Sequence, residues 1–217
     1  MIENVNLLIR DIRVALDMNR KDTALIEEED IDTLDLDELI RSKIETAARL
    51  IEERAPVSLL DSGKPLSGSI SFKEAVGKGR GRLALPDDFM RLITFKMSDW
   101  ERAVTEPITE TDPRYGLQSS RYAGIRGTPQ KPVVAIVSEP TGLVLEFWSC
   151  TGGENVKLQR GRYLPIPRIR EDGIEICEKL RSAVVAYTAS LVSLATGDTA
   201  LAAALREEAE GLGKIMR

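Results

Sequence analysis

The spacing of apolar residues along the chain changes from helical to alternating and back to helical. Over residues 2 to 19, Val5, Leu8, Ile9, Ile12 and Leu16 recur at three and four, with Arg10, Arg13 and Asp17 between them. That spacing predicts an amphipathic helix with one buried stripe. From Asp22 to Asp37 the period is lost and acids accumulate (Glu27, Glu28, Glu29, Asp30, Asp32), so a connecting loop is expected. The helical period returns with Leu36, Leu39, Ile40, Ile44, Ala47, Leu50 and Ile51. This second helix should start near Asp35 or Asp37 and end at Arg54, before Pro56, with Val57 to Leu60 able to add a turn.

After Asp61-Ser62-Gly63 the period becomes two. Ser69, Ile70, Ser71 and Phe72 alternate, and a second strand follows at Arg82 to Leu85. Gly77-Lys78-Gly79-Arg80-Gly81 between them reads as a glycine-rich hairpin turn with a basic tip. A Walker loop would place serine or threonine after the lysine and open a helix, and here a strand follows. Pro86 should stop the second strand. Asp87 and Asp88 then suit the start of a short helical turn, with Phe89, Leu92 and Ile93 on one buried face. Residues 105 to 131 lack periodicity and intersperse Arg114, Arg121 and Arg126 with Tyr115 and Tyr122, a composition that suits a binding loop for a partner subunit or nucleic acid. Strands are expected at Val133 to Val137 and Leu143 to Trp148, joined by the turn Glu139-Pro140-Thr141-Gly142. Gly161 to Pro167 should be an extended exit. Cys177, Leu180, Val184, Tyr187, Leu191 and Leu194 restore the helical repeat; Gly197-Asp198 closes that helix and starts another carrying Leu201, Leu205, Leu212 and Ile215.

The fold class these patterns predict is α+β. N- and C-terminal helices, residues 1–61 and 171–217, would pack as a helical bundle, with a small antiparallel β region and a long basic loop inserted at 62–170.

Composition removes several chemistries. The chain of 217 residues contains no histidine. Triads with a histidine base, histidine zinc sites and histidine phosphotransfer are therefore excluded. Its two cysteines, Cys150 and Cys177, are too few and too far apart for a metal knuckle and read as buried free thiols. The acidic stretch lacks the glycine and ligand spacing of an EF-hand loop. No apolar run reaches the length of a transmembrane helix, and the N-terminus lacks the uninterrupted core of a signal peptide, so a cytoplasmic protein without a membrane partner is expected. The net charge of −5 is unevenly spread. Residues 1–61 hold 16 acids and 8 bases, 62–170 hold 11 and 17, and 171–217 hold 8 and 5. A basic middle between acidic ends suits nucleic acid or another copy of the chain. The carboxylates Asp87, Asp88, Glu106 and Glu110 are conceivable acids or bases, but adjacent Asp87 and Asp88 point differently and a helix cap accounts for both. No catalytic, cofactor or metal residue is expected.

Spacing alone names no function; a resemblance does. Leu85-Pro86-Asp87-Asp88-Phe89-Met90-Arg91-Leu92, with Trp100 downstream, resembles a turn of the head-to-tail connector proteins of tailed bacteriophages, the adaptor or tail-tube-A-like rings beneath the portal. The element order is similar, and so is the C-terminal hairpin, Ala183 to Val192 followed by Gly197-Asp198 and an alanine-rich helix. The resemblance implies a non-enzymatic subunit of a homo-oligomeric ring that docks on the portal, meets tail proteins and surrounds the DNA channel, in the host cytoplasm during assembly and then in the virion. The candidate interface or DNA-facing residues are Lys78, Arg80, Arg82, Arg114, Arg121 and Arg126. The alternative is a cytoplasmic nucleic-acid-binding protein using the basic middle.

Overall fold

The computed structural model describes residues 1–16, 35–73, 80–122, 124–150 and 156–215. Their helices are α1 Val5–Ala15, α2 Leu36–Arg54, α3 Pro113–Leu117, α4 Arg181–Ala195 and α5 Thr199–Leu212. Their strands are β1 Ile2–Glu3, β2 Lys64–Pro65, β3 Ser71–Lys73, β4 Arg80–Ala84, β5 Phe89–Met97, β6 Ile108–Thr109, β7 Val133–Glu139, β8 Gly142–Trp148, β9 Leu158–Pro165, β10 Ile169–Arg170 and β11 Gly173–Glu175. The chain divides into two compact units, Met1–Asp61 with Ile166–Arg217, and Ser62–Pro165.

In the first unit α1 buries the stripe its spacing predicts, Val5, Leu8, Ile9 and Ile12, while α2 buries Leu36, Ile40, Ile44, Ala47 and Ile51 of its expected stripe together with Ala48, and leaves Leu39 and Leu50 only half-buried. Both helices pack on α4, as does α5. Helix α4 is therefore buried on most sides, and two of its buried polar residues bond within the helical layer. Thr188 donates to the Val184 carbonyl and Ser190 to the Ala202 carbonyl, each at 2.7 Å. Asp198 caps α5 by accepting the Leu201 N–H at 3.0 Å. A three-stranded sheet, β1-β11-β10, belongs to the same unit. Gly173 permits its tight turn: φ is +130°, and a Cβ there would lie 2.2 Å from the Glu3 carbonyl oxygen.

The second unit holds two sheets, β2-β9-β5 and β3-β4-β8-β7-β6. They share one apolar core, in which Phe89, Leu92, Phe95, Met97 and Tyr163 of the first meet Leu83, Leu145, Phe147 and Val134 of the second. Phe95 and Phe147 lie 5.1 Å apart between ring centres, with Trp100 edge-on to both.

The expected architecture, a helical bundle with a small antiparallel β insertion, is not what forms. The described residues carry eleven strands in three sheets, one of them inside the helical unit, and β6 pairs with β7 in parallel. Two misread segments account for most of the difference. Residues 89–97 form the nine-residue strand β5 instead of a helical turn. Leu92, Ile93, Thr94 and Phe95 are buried in succession, so no strict alternation shows. Residues 161–165, expected as an exit, belong to β9, whose pairing along β5 is interrupted by register shifts. Among the described residues no helix is long and apolar enough to cross a membrane.

Candidate functional site

Strand β4 presents Arg80-Gly81-Arg82 to β8, with Gly81 opposite Phe147 and Arg82 opposite Glu146. Alternation sends both arginines to one face and Gly81 to the other. The glycine is required by the core: a Cβ at that position would lie 2.1 Å from the Phe147 Cζ. On the arginine face sits Glu146, with 0% of its surface exposed. Its carboxylate accepts a hydrogen bond from Arg80 Nη2 and one of 2.8 Å from the Tyr115 hydroxyl, and lies 3.2 Å from Arg82 Nε. Arg82 also pairs with Glu139, while Arg80 lies over the Trp148 ring at 6.0 Å. A carboxylate removed from water needs this much compensation, and leaving it unpaired would cost several kcal/mol, on the order of 3–5. Burial pushes the Tyr115 phenol above its ordinary range, and the Glu146 charge adds to the effect. Arg80 and Arg82, candidates for a partner or DNA, are thus engaged within the sheet. Lys78 lies outside the described residues.

Tyr115 anchors the segment that carries the other predicted arginines. Asp112 caps α3 through the Arg114 N–H at 2.8 Å, and the exposed Arg114 guanidinium pairs with the same carboxylate at 2.6 Å. That double contact holds the Asp112 carboxyl down to about 2. Buried Gln118 closes the segment, donating to the Arg114 carbonyl at 2.9 Å and accepting the Gly127 N–H at 2.8 Å. Arg121 lies over the Tyr122 ring at 5.0 Å, and Arg126 donates its backbone N–H to the Tyr122 carbonyl. Between these contacts Leu117 (47%), Tyr122 (58%) and Ile125 (51%) stand exposed. The structure therefore gathers Arg114, Arg121 and Arg126 on one anchored segment.

A second cationic group went unread in the sequence. Strand β9 repeats the tripeptide as Arg160-Gly161-Arg162, and its partners on β5 are Lys96, Phe95 and Thr94 in turn. Lys96, Arg160 and Arg162 share one face and line a groove of about 700 Å³ with Gln159, Pro65, Leu66 and Leu158. Arg162 Nη1 donates to the Gly63 carbonyl at 3.1 Å. No described carboxylate lies within ion-pair distance of the three cations. The available signal was the repeat of Arg-Gly-Arg itself.

The remaining reactive side chains are tied into the fold. Asp88 does not cap a helix: it accepts from Lys64 Nζ at 2.9 Å and from the Tyr163 hydroxyl at 2.8 Å, joining the turn before β5 to β2 and β9. Burial raises its carboxyl, but those hydrogen bonds outweigh that and leave it below the usual range. Burial pushes the Cys150 and Cys177 thiols up to about 12, so neither is a nucleophile at neutral pH. Among the described residues no group of three or more Cys, Asp or Glu side chains is placed to hold a metal ion. In comparisons with known proteins, no family model and no curated protein matches the chain.

Proposed function

We propose that the chain is a non-catalytic structural subunit of a phage or prophage head-to-tail connector, assembling as a ring on the portal around the DNA channel. It would work in the bacterial cytoplasm during assembly and remain in the virion. The observation that carries this reading is the anchored segment with exposed Leu117, Tyr122 and Ile125 and with Arg121 lying over Tyr122. Tyrosine and arginine are the residue types that most often supply binding energy at protein interfaces, and a segment pinned by Tyr115 and Gln118 loses little entropy on docking. Its partner is a second copy. The unit Ser62–Pro165 holds 15 bases and 11 acids, whereas the other unit holds 24 acids and 15 bases. A head-to-tail contact between unlike surfaces of this kind closes rings and is guided by opposite charge.

Light scattering across concentration, with and without a candidate portal, tests this. The expected result is a closed ring, or a monomer that joins the portal as a ring, with Y122A/I125A weakening assembly at least tenfold while keeping the parent's unfolding midpoint. A monomer indifferent to the portal would overturn the reading.

A further inference from the structure

We propose that the β5/β9 groove binds the phosphodiester backbone of nucleic acid, through Lys96, Arg160 and Arg162. The inference rests on the connector reading, in that it names the surface of the subunit that faces DNA, and it replaces Arg80 and Arg82 in that role. Lys96 stands directly opposite Arg160 in the strand ladder. Like charges at opposed positions destabilise a sheet, and no described carboxylate relieves this pair. Arg162 follows two residues along the same face, roughly 7 Å further on. The result is a row of cations along one strand face, an arrangement suited to a chain of regularly spaced negative charges.

The other lining groups favour phosphate over an acidic protein. Gln159 adds an exposed amide donor to the guanidinium and ammonium groups. These are donor types that proteins direct at phosphate oxygens. Among the described residues no aromatic side chain lines the groove, so it lacks the anchor typical of a protein-binding hot spot, in contrast to the segment bearing Tyr122. Contacts of this kind read no bases, so binding should be independent of sequence and steeply dependent on salt.

The test is fluorescence anisotropy of the full chain with labelled duplex DNA of mixed sequence, over a range of NaCl concentrations. The triple variant K96Q/R160Q/R162Q should lose at least tenfold in affinity. Its plot of log affinity against log salt should be shallower by about 2.7, at about 0.9 for each phosphate contact removed. R206Q, which removes a cation on α5, should leave both unchanged. If the triple variant fails to fold, R160Q alone still reports, because it relieves the repulsion with Lys96; its slope should fall by about 0.9. An unchanged slope in the variants, or no salt-dependent binding by the parent, would overturn the inference. Loss of assembly without loss of DNA binding would also overturn it, by making the groove a contact between subunits. Displacement of DNA by inorganic pyrophosphate beyond its ionic-strength effect would overturn it in favour of a small phosphate ligand. Ring mass and DNA slope are separate readouts, so failure of the groove and failure of the connector reading are distinguishable.

Discussion

Arg80-Gly81-Arg82 and Arg160-Gly161-Arg162 are the same tripeptide on two strands of one unit, and they end in opposite electrostatic situations. The first faces a fully buried glutamate, a phenol and a second glutamate. The second faces a lysine. Neither the local sequence nor the strand geometry differs enough to explain this. The residue across the ladder decides: Glu146 opposite Arg82 turns two cations inward, and Lys96 opposite Arg160 leaves three lining a groove. One tripeptide is ion-paired within the sheet and the other lines a groove, so a basic motif takes its electrostatic situation from its neighbours in the sheet.

The comparison is broken most severely at Glu146. E146A would leave two guanidinium groups partly buried without their shared carboxylate, and stability measured by urea unfolding should fall by about 3–5 kcal/mol. A loss under about 1 kcal/mol would show that the first tripeptide is as free as the second. The two glycines give a matched pair. G81A sets a methyl against the Phe147 ring, which is held by Phe72, Phe95 and Trp100, and should cost about 1–3 kcal/mol. At Gly161 the nearest atoms, side-chain carbons of Leu158 and Leu66, are 3.1 Å from the added Cβ. G161A should therefore cost less than G81A in the same urea titration, and the reverse order would contradict the packing described.

Smaller still is the effect of the phenol. Y115F removes one hydrogen bond to a charged group, worth about 1.5 kcal/mol, and should loosen the 112–127 segment in hydrogen exchange. Its pH dependence has a defined sign. The folded chain holds the Tyr115 proton to higher pH than the unfolded chain, whose phenol titrates near 10.0. The folded state thus binds the extra proton, and stability falls as pH rises above 10.0. Part of that fall should be missing in Y115F when thermal unfolding is followed against pH.

Much of the secondary structure was readable because it is local. Helices α1, α2, α4 and α5 follow apolar residues at three and four, and the β7–β8 hairpin follows its turn residues. Strand β5 was not, because Leu92 to Phe95 are buried in succession and the alternation that marks a strand is lost. Strand β9 was hidden by Pro165 and Pro167, which read as an end to regular structure although pairing runs up to Pro165. Glu146 lies in Leu143-Val144-Leu145-Glu146-Phe147-Trp148, where alternation places a polar residue on a solvent face. That face is covered, because α3 follows the edge strand β6 and brings Tyr115 onto Glu146 and Trp148.

The sequence by itself determined the terminal helices, the charge division between ends and middle, and the exclusion of histidine chemistry, since each depends on composition or on neighbours within a few residues. Tertiary structure alone decided which arginines are free. Charges interact through space with whatever lies opposite, and Arg82 meets Glu146, 64 positions away in the chain, just as Arg160 meets Lys96 at the same separation.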